Sequence, residues 1–442
     1  MILEADIETP ITRQDAARWM KCPIRLEFGI LPCMYTNLQG IRERSVKVLA
    51  SITVYPHTLR QAVLDSREDP KAIASTGKDL AELPQWLDRN EPFPLSFTKI
   101  SQLGKALHVP FGYLVKSVVT PKNPEPLLQY RTVNNDHAPM SKNLEDLLQV
   151  MHGRQDWARD EMMANGLGAN ALVTSQAHTK DSRVLGQAIR MALHLEDKFI
   201  LGKNDGARFN YVRRQASEAG LMVMVDSMVS GTRRRLDINE FRAFVLLDDV
   251  APLIFINRND SHKAMLFSLL HEIGHVLLGN EELFNVGDDK MAVHDSDTER
   301  LVNRAAVHAL VSDGDFRSHW NEFTAGGGSS VWDTAQTCAR RYGLSALALV
   351  IHAKELGLAN DQDVKEVRRL TQRAIHDDEP RQESGGGNQN FTNAYRLDDR
   401  YVGMVHDSVQ RGALPFTDGL ALLGVRSLKA YDGVVRAKGL EQ

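Results

Sequence analysis

Cysteine is scarce in this chain of 442 residues, which has only Cys22, Cys33 and Cys338. An odd number at wide spacings excludes a disulfide framework. Buried thiols in a reducing compartment are the expectation, with a Cys22 and Cys33 pair as the alternative. Charge of one sign is also lacking: 53 lysines and arginines stand against 57 acids, a net −4. No overall field therefore favours nucleic acid or anionic membrane, and such binding would need a local patch. Long apolar runs are missing too. The opening MILEADIETPITRQD is acidic where a secretory signal is basic, and the nearest apolar stretch, FGILPCMY, is too short for a signal core or a span. The expectation is a cytoplasmic protein with no membrane partner. Triple glycine occurs twice, but neither run leads into the lysine and hydroxyl residue of a phosphate loop, so both read as flexible.

What is present is the composition of a folded protein, 43% hydrophobic and 25% charged, with length for two or three domains. Periodicity divides the chain. Residues 1–56 read as an N-terminal extension. From 57 to 120, HTLRQAVLDSR, DPKAIAS, DLAELPQWLDR and FTKISQLGKALHV place Leu59, Val63, Ile73, Leu80, Leu83, Trp86, Ile100, Leu103 and Leu107 at helical spacing, a set of short helices around one small core. This stretch, FTKISQLGKALHVPFGYLV above all, resembles the lambda-repressor-like (XRE) helix-turn-helix family, which implies DNA as a partner. The matching helix nevertheless carries Asp79, Glu82 and Asp88, with Pro84 inside it, charges opposite to those that meet phosphates. A packing or interaction module stands beside the DNA-binding reading.

After a proline- and asparagine-rich linker, residues 140–315 begin helical and then switch to strand patterns in LMVMVDSM, RAFVLLD and PLIFIN. A helical region over 316–375, a flexible loop over 376–396 and a helical, helix-turn-helix-like segment over 397–442 complete the chain. The fold class expected is α+β, mostly helical: an N-terminal helix-turn-helix bundle, a middle domain with a small antiparallel sheet, and a helical C-terminal region.

The chemistry concentrates in SLLHEIGHVLLG, residues 268–279. Residues four apart on a helix are about 40° apart around its axis, so His271 and His275 project from one face and can hold one Zn²⁺. Glu272 sits on the neighbouring side, within reach of a water. The flanks are apolar on nearly all sides, so these groups do not decorate a solvated face. PLIFIN supplies a strand expected to pair with an extended peptide. For a third ligand, Asp288, Asp289, His294, Asp295, Asp297, Glu299 and His308 compete. Leu278 and Glu281 occupy the positions where a metzincin has glycine and histidine, which excludes that class. The gluzincin arrangement, a glutamate on a second helix with Asp or Asn four residues on, fits Glu299 and Asn303 of ERLVNRAA, with Asn303 orienting a ligand histidine.

With these residues in view, RRRLDINEFRAFVLLDDVAPLIFINRNDSHKAMLFSLLHEIGHVLLG followed by ERLVNRAAVHAL resembles the ImmA/IrrE metallo-endopeptidases, in the long form with an N-terminal XRE-like domain. The resemblance implies a gluzincin-like domain with Zn²⁺ on His271, His275 and Glu299 and with Glu272 as base. It also implies cleavage of a partner transcriptional repressor or antitoxin, derepressing stress, mobile-element or phage-defence genes. Two positions depart from the family pattern: Ala243 replaces a usual glycine, and Val302 a usual small residue. A developing oxyanion needs a donor besides the metal, for which His308, Arg242 and Tyr395 are the candidates. The Arg233 to Arg235 run reads as a solvated turn or as a nucleic-acid contact. The competing function is a DNA-binding regulator, or the antitoxin to a cognate toxin, with a structural or weakly active metal site.

Overall fold

The computed structural model describes residues 51–117 (except 67, 76 and 110), 140–197, 203–280 (except 230, 231 and 233), 283–284, 297–325, 330–377 and 389–440. Cys22, Cys33, most of the N-terminal extension, the linker 121–139, Arg233, Asp288, Asp289, His294, Asp295 and the loop 378–388 lie outside them.

Residues 51–117 enclose a core of their own, with Val54, Leu59, Leu83, Ile100, Leu103 and Leu107 fully buried. The helices are α1 (Pro56–Ser66), α2 (Pro70–Ser75), α3 (Leu83–Leu87), α4 (Phe97–Ala106) and α5 (Phe111–Leu114). Two differences from the sequence reading stand out. A two-stranded antiparallel ribbon, β1 (Ser51–Val54) with β2 (Phe93–Ser96), brackets the helices. And the helix expected over 79–89 shrinks to α3, because Pro84 has no N–H to give and is tolerated only in a first turn.

The larger part is built on a four-stranded sheet in the order β3-β5-β4-β6, formed by Met222–Asp226, Leu253–Asn257, Ala243–Leu246 and Leu283–Phe284. It is mixed rather than wholly antiparallel: β5 runs parallel to β3 and antiparallel to β4. The tight β4 to β5 connection forces that pair antiparallel, and β3 then adds to the free edge of β5. Strand β5, expected to receive a peptide, is thus hydrogen-bonded on both sides and has no edge to offer.

Both sheet faces are covered, which explains strands that are apolar at every position rather than alternating. One face, with Val223, Val225, Val245, Ile254 and Ile256, joins a core that runs from Leu185 to Val367. It takes in α7 (Ser182–Ala192), α8 (Asp205–Glu218), α9 (His262–Leu278), α10 (Asp297–Leu310), α11 (Asp313–Ala325), α12 (Val331–Tyr342), α13 (Ala346–Glu355) and α14 (Asp361–Asp377). No break in this core falls at residue 315. The other face, with Met222, Met224, Phe244, Leu246, Leu253 and Phe255, packs against α6 (Lys142–Ala164), α15 (Gln389–Arg396), α16 (Asp399–Gln410), α17 (Phe416–Leu423) and α18 (Leu428–Ala437). Phe244 and Phe255 face each other in register and stack at 5.2 Å. The C-terminal helices therefore form a layer over the sheet. Residues 389–396, expected to be loop, are helical because Ala394 is buried there and the chain is clamped by Arg213. No described helix is long and apolar enough to cross a membrane.

Arg213 links the layers. Its guanidinium is buried and donates to the carbonyls of Tyr395 at 2.7 Å, Leu397 at 2.8 Å and Val223 at 3.0 Å. Replacing it leaves three carbonyls without this donor, at about 1 kcal/mol or more each. Arg213→Leu is expected to lower the unfolding free energy by roughly 3 kcal/mol, read from the urea midpoint at unchanged slope. A shift below about 0.5 kcal/mol would mean that water replaces the guanidinium at no cost.

Candidate metal centre

Helix α9 begins and ends on local signals. Ser261 caps its N-terminus, the hydroxyl accepting from the N–H of Ala264, and Gly279 ends it at φ 78°, a left-handed conformation open to glycine. The carbonyls left over at this end accept from the N–H groups of Gly279, Asn280, Thr174 and Gln176. Between these caps the helix is buried on almost every side, from Met265 to Leu278 with Phe267 partly exposed. His271, Glu272 and His275 are each 0% exposed.

Helix α10 crosses α9 and brings Glu299 to the histidines. The facing nitrogens, Nε2 of His271 and of His275, are 3.0 Å apart. Glu299 Oε1 lies 3.0 Å from His275 Nε2 and its Oε2 3.4 Å from His271 Nε2. In a tetrahedral zinc site, bonds of about 2.0–2.2 Å place neighbouring donors roughly 3.3–3.6 Å apart, so the three groups need to open by only a few tenths of an ångström. Burial, and the neighbouring His275, hold the His271 imidazole well below its usual range. Both effects favour the neutral, ligating form. Asn303, one turn after Glu299, sets its tautomer: an amide oxygen only accepts, so His271 Nδ1–H donates to Asn303 Oδ1 at 3.1 Å, leaving the Nε2 lone pair turned to the cluster.

The structure thus brings His271, His275, Glu299 and Asn303 together, with Glu272 on the same buried helix. Each of the three proposed oxyanion donors is engaged with a partner of its own. Arg242 pairs with Asp260 at 3.1 Å, Tyr395 donates to Asn210 Oδ1 at 3.0 Å, and His308 faces Asp313. Of the other described ligand candidates, Asp297 pairs with Arg300 and is 97% exposed.

One determinant escaped the sequence reading. A Cβ on Gly274 would lie 2.7 Å from Val302 Cγ1, closer than carbon atoms approach. The glycine lets α10 sit against α9 at the height where Glu299 reaches the histidines. It also accounts for Val302: the small member of the contact pair is on α9, so α10 can carry the larger one. Its signal was in plain view, a glycine in a helix interior where it costs about 1 kcal/mol relative to alanine.

Two measurements follow. Asn303→Leu is expected to weaken zinc binding 10–100-fold in chelator competition while the fold persists; unchanged affinity would remove Asn303 from the centre. For Gly274→Ala, overpacking of about 1–3 kcal/mol outweighs the helix gain of about 1 kcal/mol, so the variant loses stability and metal affinity. In a Val302→Ala background the sign reverses and the alanine stabilises, as a double-mutant cycle in urea will report.

No curated protein matches the chain. Residues 216–354 match the family model of peptidase M78, described as the IrrE N-terminal-like domain. That span carries the sheet and both ligand-bearing helices, and it supports a metallopeptidase-like function of the ImmA/IrrE kind.

Proposed function

We propose that the protein is a zinc-dependent endopeptidase of gluzincin type that cuts a partner transcriptional repressor or antitoxin in the cytoplasm. The observation that carries this reading is the convergence of His271, His275 and Glu299, with Glu272 next to the first ligand in sequence. A site meant only to brace a fold usually closes with a fourth protein ligand. Among the described residues three metal-binding side chains meet here.

When bound, Zn²⁺ supplies a Lewis acid that polarises a carbonyl and acidifies water. The chain's own residues do the rest. Glu272 takes the proton of the attacking water and returns it to the leaving amine. Its full burial strengthens its field on both, since little solvent screens it. Asn303 keeps His271 in the ligating tautomer throughout, and Glu299 offsets one unit of the cation's charge. The substrate class rests on the resemblance to ImmA/IrrE proteins. Residues 51–117 then act as the recognition module, with DNA as the lesser partner given the acids at 79, 82 and 88.

Glu272→Gln tests the reading. The amide keeps the shape and the three ligands but cannot accept a proton as a base. Zinc content is expected to stay at the wild-type level while cleavage of the genetically neighbouring repressor or antitoxin drops by at least 10²-fold. Unchanged repression or toxin neutralisation by this variant, with no cleavage by the wild type, would instead establish the regulator with a structural metal.

A further inference from the structure

Behind the helix that carries Glu299, a second set of donors converges. His308 in the last turn of α10, Asp313 in the first turn of α11 and His352 of α13 offer ligand atoms that lie within 4.8 Å of one another. Asp313 Oδ1 is 3.5 Å from both His308 Nδ1 and His352 Nε2. The two rings stand edge to face, 5.1 Å between centroids. Yet the atoms that face each other form no hydrogen bonds: Asp313 Oδ1 and His352 Nε2 are both buried without a partner. The His352 side chain is only 3% exposed. An orphaned buried acceptor or donor costs about 1–3 kcal/mol, and here two point at one spot.

We propose that His308, Asp313 and His352 form a second divalent transition-metal site, separate from the centre on α9. The 3.5 Å edges match the roughly 3.3–3.6 Å spacing of donors around tetrahedral zinc, and two imidazoles with one carboxylate suit Zn²⁺ or its neighbours rather than Mg²⁺ or Ca²⁺. Asp313 Oδ2 is taken by Arg183 Nε at 2.9 Å, which fixes the carboxylate and turns Oδ1 to the imidazoles. Burial holds both imidazoles below their usual range, His352 to about 4, so both are neutral. A cavity of about 410 Å³, lined by His308, His352, Arg183, Arg304 and Glu355 among others, adjoins the site and gives solvent access for a fourth ligand. The two arginines there are no barrier. Arg183 is paired with Asp313 and Arg304 with Glu355, and both are more than half exposed, so their repulsion of a cation is screened.

A cation here ties α10, α11 and α13 at one point. His308 is nine residues beyond Glu299, and nine steps of 100° place it on the opposite side of α10. The second site would therefore pin the back of the helix whose front supplies Glu299.

The test is stoichiometry. The full chain, stripped with chelator, is loaded with Zn²⁺, desalted and assayed for bound metal. Two equivalents are expected for the wild type and one for His352→Gln. A His271→Gln/His275→Gln variant should keep one equivalent, and Zn²⁺ should raise its Tm in a manner lost on adding His352→Gln. Circular dichroism in EDTA checks that each variant folds; should His352→Gln not fold, Asp313→Asn carries the same test, its side chain being 28% exposed. Loss of all binding in His271→Gln/His275→Gln, or an unchanged stoichiometry in both His352→Gln and Asp313→Asn, overturns the second site and leaves the reading of the first untouched. Failure of peptidase activity in the wild type would in turn leave the two-equivalent result standing.

Discussion

Everything at the centre of this protein depends on the crossing of two helices at Gly274. Two imidazoles and two carboxylates placed in an apolar interior are each costly alone. The proposed divalent cation would offset that cost once the helices approach closely enough for the donors to share it. The formal sum would then be neutral, a charge of +2 against Glu299 and Glu272 with His271 and His275 uncharged. A separation larger by one methyl group would move Glu299 away from His275, where 3.0 Å now separates the atoms. The absence of a side chain at residue 274 is thus what lets the donors of the two helices meet.

That crossing is held from outside by a sheet buried on both faces. Helix α9 lies against β4 and β5, which carry Val245, Ile254 and Ile256 on that face, and the opposite face is sealed by α6 and the C-terminal helices. Buried guanidinium groups join the layers at places where helices and strands leave carbonyls over. Arg213 serves Val223, Tyr395 and Leu397. Arg208 donates to the carbonyls of Arg340 and Arg341 at the end of α12, where Gly343 turns the chain at φ 73° and leaves space for the guanidinium stem. A cation at a helix C-terminus meets both unsatisfied carbonyls and the negative end of the dipole. Each arginine in this way closes a local hydrogen-bond deficit and couples segments more than 100 residues apart.

Much of this was legible along the chain because it is written in local chemistry. Ser261 and Gly279 bound the motif helix, histidines four apart declare their shared face, and Glu299 with Asn303 repeats the i, i+4 logic on a second helix. Three of the four strands of the large sheet were readable from runs of Val, Ile, Leu and Phe. What could not be read was pairing at a distance. Nothing in PLIFIN says that it lies between two neighbours, because strand order is set by how the β4 to β5 turn folds back and where β3 finds an edge. Helix α15 was hidden for a similar reason: a polar, glycine-flanked stretch is held helical by a buried Arg213 that lies nearly two hundred residues earlier. The partners of the oxyanion-donor candidates were equally unreadable, from Asp313 five residues after His308 to Asn210, which lies 185 residues before Tyr395.

Helix α10 shows why such distant partners matter to the chemistry. Its front face must present Glu299 and Asn303 at a fixed height against α9. Packing supplies part of that constraint: a Cβ on Gly186 of α7 would strike His308 Cβ at 2.6 Å and the Ala305 carbonyl at 2.8 Å, so α7 and α10 touch backbone to backbone. Gly274 does the same from the other side through Val302. A helix gripped at two glycine contacts on different flanks can neither roll nor slide without a clash, because close-packed interiors resist displacements of even a methyl group. The geometry of the metal centre is therefore specified less by its ligands than by two residues that have no side chain.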